Sequence, residues 1–198
     1  MPVAAAPRTI TFTPEEYFDW EERQDVPHEY ANGEVYEMPG GTYEHFVVIA
    51  NGVVALRAAL DASTATVLPH GMRLQIHDRR FVYPDVSVVV GEPRFREGSK
   101  RRALLNPAVV VEVLSENRQV GEASTASYDR GEKYALYREV RSLREIVWVD
   151  SERRFAEVAF RANGAWSVRE PVAEGLVSLP SLGIEVAVED LYRGVDLT

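Results

Sequence analysis

The stretch AVVVEVLS, Ala108 to Ser115, constrains this chain more than any other part of it. Three valines precede Glu112 and Val113-Leu114 follow it, so the segment reads as a strand apolar on both faces. Such strands lie inside a sheet that is covered on both sides. A carboxylate placed there is costly unless it comes with a cation, a proton or a second task. Upstream, the run FVYPDVSVVVG, Phe81 to Gly91, reads as a second interior strand, and it too carries one acid, Asp85. Two such strands bring both carboxylates toward a shared point, where like charges repel unless a cation lies between them. A hard divalent ion, Mg²⁺ with Mn²⁺ as a substitute, suits a site of one or two carboxylates completed by water and phosphate oxygens.

A lysine completes the pattern. Of 22 basic residues only Lys100 and Lys133 are lysines. A helix is expected from about Ser127 to Val140, and Lys133, Leu136, Tyr137 and Val140 recur on it at i, i+3, i+4 and i+7. Lys133 therefore stands on the inward stripe of the element that follows the Glu112 strand, with its stem on the sheet and its ammonium toward the acids. Two acids and an inward lysine fit metal-assisted hydrolysis. Each has a plainer reading: Asp85 as a strand-end residue after Pro84, Glu112 as an arginine partner, Lys133 as an amphipath whose head reaches water.

The rest of the chain gives the setting. Thr13-Pro14-Glu15-Glu16 is a helix start, with a Thr cap, an early proline and a Glu at the third helical position. HEYANGEVYEM alternates around Asn32-Gly33, a strong hairpin signal. A long helix is expected over Thr42 to Leu60, with Val48, Ile49, Val53, Leu56 and Leu60 inward. Strands are expected over Thr64 to Leu68 and Met72 to Ile76, and again from REIVWVD onward. The outcome is a mixed α/β (α+β) domain, with a mixed central sheet flanked by helices and a C-terminal antiparallel meander. Residues 1–12 are expected to be a flexible N-terminal tail and 13–198 a single domain. The net charge of −9 argues against a general nucleic-acid coating protein, and no apolar run approaches a membrane span. With no cysteine there is no disulfide framework or thiolate metal site, and the cytoplasm is the expected compartment.

The order Pro84-Asp85, then Glu112-Val113-Leu114-Ser115, then Asp129-Arg130-Gly131-Glu132-Lys133 resembles the Uma-type restriction endonuclease family of the PD-(D/E)XK nuclease superfamily. HEYANGEV, His45, LREIVWVD and SLPSLGIEVAVEDLY extend the resemblance from about Thr13 to Tyr192. It implies a restriction-endonuclease-like core and hydrolysis of nucleic-acid phosphodiester bonds, with DNA as partner, no membrane and a homodimer in view. Asp85 and Glu112 would bind Mg²⁺ with the backbone carbonyl of Val113, Lys133 would be the catalytic lysine, and Glu29 a further acid. The superfamily usually has lysine two residues after the second acid; here that position is Leu114, and Lys133 would replace it from the next element.

His45 reads equally as a core histidine or a site residue, and His70 and His77 receive no role. Asp129 is expected to cap its helix or pair with Lys133. The loop holding Arg94, Arg96, Lys100, Arg101 and Arg102 joins the two acid-bearing strands and is either a phosphate contact or a solvated connection. Three functions stay open: a metal-dependent endonuclease, a catalytically inactive nuclease-fold binding or regulatory module, and a phosphoesterase for small substrates.

Overall fold

The computed structural model describes residues 11–38, 40–115 and 129–197. The first helix, α1 (Pro14–Glu21), starts as its sequence dictates: the Thr13 hydroxyl accepts from Glu16 N, and Glu16 returns a carboxylate to the Thr13 backbone. Of the expected tail, residues 1–10 fall outside the described residues. Phe12 is already held, its carbonyl accepting from the Tyr30 hydroxyl and its ring 5.3 Å from Trp20.

The hairpin β1 (His28–Ala31) and β2 (Glu34–Glu37) closes on Asn32-Gly33, both at positive φ of 53° and 108°. That geometry matches the twist of the flanking strands. Helix α2 (Tyr43–Ala59) is capped by the Thr42 hydroxyl and buries Val48, Ile49 and Leu56. Strands β3 (Ala65–Pro69) and β4 (Arg73–His77) follow.

The run Phe81–Gly91 is not one strand. It divides into β5 (Arg80–Val82) and β6 (Val86–Val90), which belong to different sheets. Pro84 has no N–H to give a ladder, so the chain leaves one sheet at Tyr83 and enters the other after Asp85. The basic segment is likewise not all loop, since β7 (Ala103–Leu104) pairs in parallel with β4.

Strand β8 (Val109–Leu114) is buried at every residue, as AVVVEVLS requires. It pairs antiparallel with β6 and in parallel with β9 (Glu145–Asp150). Between them, 116–128 lie outside the described residues; then a π-helical turn, Asp129–Lys133, runs into α3 (Tyr134–Tyr137). Of the helix expected over Ser127 to Val140, 127–128 lie outside the described residues; the rest is partly π and its helical part ends at Tyr137, yet Lys133, Tyr137 and Val140 are all buried.

Strands β10 (Ala156–Ala162) and β11 (Ala165–Val168) extend the meander, giving a central sheet of order β11-β10-β9-β8-β6-β3. The second sheet has the order β2-β1-β5-β4-β7. Strands β12 (Leu176–Leu179) and β13 (Ile184–Ala187) form a separate hairpin before α4 (Val188–Leu191). One face of the central sheet, with Val109, Val111 and Val113, packs on α2, β13 and α4. The other, with Val110, Leu114 and Trp148, packs on Leu74, Val82 and Tyr137. Glu112 alternates onto this second face. Among the described residues no helix is long and apolar enough to cross a membrane.

Candidate active site

The ladder between β6 and β8 sets the two acids. Val86 pairs with Val111 and Ser87 with Val110, so one further step places Asp85 opposite Glu112. Residues directly opposite in an antiparallel pair project from the same face. Asp85 is 6% exposed and Glu112 1%. The Val113 N–H donates to Asp85 Oδ2 at 2.7 Å, which ties the chain entering β6 to the strand carrying Glu112.

Lys133 is 5% exposed, and its Nζ lies 3.2 Å from Glu112 Oε2 and 3.7 Å from Glu29 Oε1. Glu29, on β1, is also paired with Arg80, whose Nη2 stands 3.3 Å from Oε2. Strand β5 pairs with β1 through Ala31 and Arg80, and that register brings the guanidinium to Glu29. The Tyr137 hydroxyl donates to Glu112 Oε1. Burial and the adjacent Glu112 charge push the Tyr137 phenol far up, so it stays a neutral donor.

Two histidines face the other acid. His45 Nε2 is 3.6 Å and His70 Nδ1 3.5 Å from Asp85 Oδ1, long for hydrogen bonds but close enough to act electrostatically. Burial opposes the charge on Asp85; the two imidazoles and the Lys133 ammonium outweigh it and hold the carboxyl well below the ordinary range. His45 sits in the first turn of α2, and its ring lies against the Gly41 backbone. A Cβ at Gly41 would fall 2.5 Å from His45 Cδ2.

Glu29, His45, His70, Arg80, Asp85, Glu112, Val113 and Lys133 border one cavity of about 830 Å³, with Tyr137 behind Glu112 and outside its lining. The sequence-derived acids and lysine therefore converge. The basic loop does not join them. Asp85 precedes β6 and Glu112 is the fourth residue of β8, whereas the loop spans the opposite ends of those antiparallel strands, roughly 10 Å away at ~3.4 Å per residue. Arg96 pairs with Glu15 at 2.8 Å, and Lys100 and Arg102 pair with Glu22 at 3.3 and 2.7 Å. The Asp129 side chain falls outside the described residues. His70, Arg80 and Tyr137 are site neighbours that the sequence did not single out. Tyr137 was visible on the lysine's stripe, while His70 sits in a turn without periodicity.

The donor set suits a hard cation, since two carboxylates and the Val113 backbone open on one cavity. Among the described residues no three His, Asp or Glu side chains are spaced to enclose a metal ion. Mg²⁺ needs no such enclosure, because it keeps waters and takes phosphate oxygens.

A mixed α+β architecture with its carboxylates at the meeting of two sheets is a restriction-endonuclease-like fold. A solved structure from Anabaena variabilis, described as a "putative nuclease belonging to DUF820", shares the fold with a TM-score of 0.70 and 17% identity, over 92% of this chain and 98% of that one. The chain belongs to the Uma2 family, described as "Putative restriction endonuclease", whose model matches residues 14–191. Two uncharacterized proteins of Synechocystis sp. are similar to it. One, slr1290, is 33% identical over 185 residues, 92% of each chain. The other, sll1609, is 29% identical over 143 residues, 72% of this chain and 76% of its own length.

Proposed function

We propose that this protein is a metal-dependent endonuclease that hydrolyses DNA phosphodiester bonds, with Mg²⁺ as its cation and Mn²⁺ as a substitute. The supporting observation is the convergence of Asp85, Glu112, Lys133 and Glu29, three acids and one ammonium from four separate segments, on one cavity. Asp85, Glu112 and the Val113 carbonyl are the proposed ligands. A bound divalent ion there would lower the pKa of a ligated water and stabilise charge building on the phosphate. Lys133 does the work that a lysine at Leu114 would do: its ammonium, fixed between Glu112 and Glu29, orients the attacking water and offsets charge on the transferred phosphoryl group. Tyr137 holds Glu112 in one rotamer, and Arg80 holds Glu29. His45 and His70 keep Asp85 ionised and ready to ligate.

The net charge of −9, and leucine at position 114 where the superfamily usually has lysine, favour a second reading, a nuclease fold that binds without cutting. Incubation with plasmid and single-stranded DNA in Mg²⁺, Mn²⁺ or EDTA separates the two. The endonuclease reading expects metal-dependent cutting that Asp85→Ala and Glu112→Ala abolish, and calorimetric Mn²⁺ binding that both variants lose. Cutting unchanged in both variants, or no Mn²⁺ binding by the wild type, refutes it.

A further inference from the structure

The site poses a problem of charge. The chain carries a net −9, and its concentrated basic segment is turned away, with Arg96 paired to Glu15 and Lys100 and Arg102 to Glu22. A duplex held by its phosphates needs a basic track, because neutralised phosphates supply most sequence-independent affinity. What the cavity offers instead is aromatic surface. Tyr36 and Phe46 line it, and their residues are 50% and 51% exposed. Both are tied to the charged groups. Tyr36 pairs directly with Glu29 across β1 and β2, so the two side chains leave the same face of the hairpin. Phe46 follows His45 on α2, its ring edge-on to the imidazole at 5.5 Å and 89°. Met38 and Leu136 add apolar wall. A volume of about 830 Å³ lies within the usual range for small-molecule pockets, so a nucleotide is well within its capacity.

Resting on the endonuclease reading above, we infer that the substrate is presented as an unpaired nucleotide, with Tyr36 and Phe46 stacking its base while the adjacent phosphodiester meets Asp85, Glu112 and Lys133. The class is single-stranded nucleic acid. A base in a duplex has its faces covered by its neighbours; only an unstacked base offers both ring faces to an aromatic wall. Stacking also tolerates an acidic protein, since it does not depend on counterion release as phosphate contacts do.

The test is fluorescence anisotropy in Mg²⁺ with labelled DNA: a short single strand, its duplex, and the same strand with abasic positions, gels reporting strand integrity. The wild type is expected to bind the intact strand at least about tenfold more tightly than the duplex or the abasic strand. Tyr36→Ala and Phe46→Ala should each weaken strand binding about tenfold without altering its salt dependence, while Tyr36→Phe, which keeps the ring, should not. Equal affinity for intact and abasic strands, or a duplex bound as tightly as the single strand, overturns the inference. A strand bound by its bases but never cut leaves stacking standing and removes the hydrolysis. Cutting without base-dependent binding does the reverse, and no binding of any DNA removes both.

Discussion

Replacing Lys133 by methionine keeps the unbranched stem and removes the charge. The ammonium sits 3.2 Å from one carboxylate oxygen and 3.7 Å from another, and at an effective dielectric constant near 20 those separations give gross attractions of about 5 and about 4.5 kcal/mol. Desolvation of the buried ammonium offsets much of this, so the pair contributes far less than the sum. Its removal, however, leaves Glu112 and Glu29 facing the cavity without that cation, the situation that costs about 3–5 kcal/mol in buried ion pairs. Lys133→Met should therefore unfold at markedly lower urea, with a melting temperature roughly 6–20 °C below wild type in metal-free buffer at neutral pH. A double-mutant cycle with Glu112→Gln separates charge pairing from packing. The double variant should recover part of the loss, giving a coupling energy of about 2 kcal/mol. A single variant within about 0.5 kcal/mol of wild type, or a cycle with additive losses, refutes the account of Lys133 as the cation that holds these acids.

Gly41→Ala should drive the His45 imidazole off Asp85, because the added methyl occupies its place; the loss of Mn²⁺ affinity in calorimetry should exceed the loss of stability, and an unchanged Kd would count against His45 as a positioning residue. Asp85 has its carboxyl pKa depressed by folding, so its contribution is present above the unfolded value near 3.9 and is lost as pH falls toward the folded one. The stability gap between wild type and Asp85→Asn should consequently be widest above about pH 5 and shrink steadily below it in urea titrations. Tyr192, whose hydroxyl is shared among Asp150, Phe155 and Arg153 backbone atoms, is pushed up to about 12 by burial. A raised folded pKa means stability that is complete below about pH 10 and declines above it; Tyr192→Phe should lose about 1–3 kcal/mol at neutral pH and show a shallower alkaline decline.

Glu112 and Asp85 were legible because each breaks an otherwise apolar run, an anomaly that needs no knowledge of the fold. Lys133 was legible because helical spacing survives when part of the element is π rather than α. What was not legible depended on direction. The basic loop looked near the acids because it joins their strands, yet antiparallel pairing puts a connection and residues at the far ends of its strands at opposite ends of the sheet. The split of Phe81–Gly91 between two sheets was signalled by Pro84 but could equally have been a strand entry. His70 had no pattern to betray it: only the pairing of β3 with β6, which sets Pro69 against Val86, carries the next residue to Asp85.

The three-residue link Tyr83-Pro84-Asp85 has a bearing on how this architecture tolerates change over generations. A surface turn such as 163–164, between β10 and β11, can lengthen at little cost, since loop closure grows only slowly with length. The link cannot: one residue inserted between Asp85 and Val86 would break the register that sets the acid opposite Glu112. Insertions are thus filtered at this seam and tolerated at exposed turns.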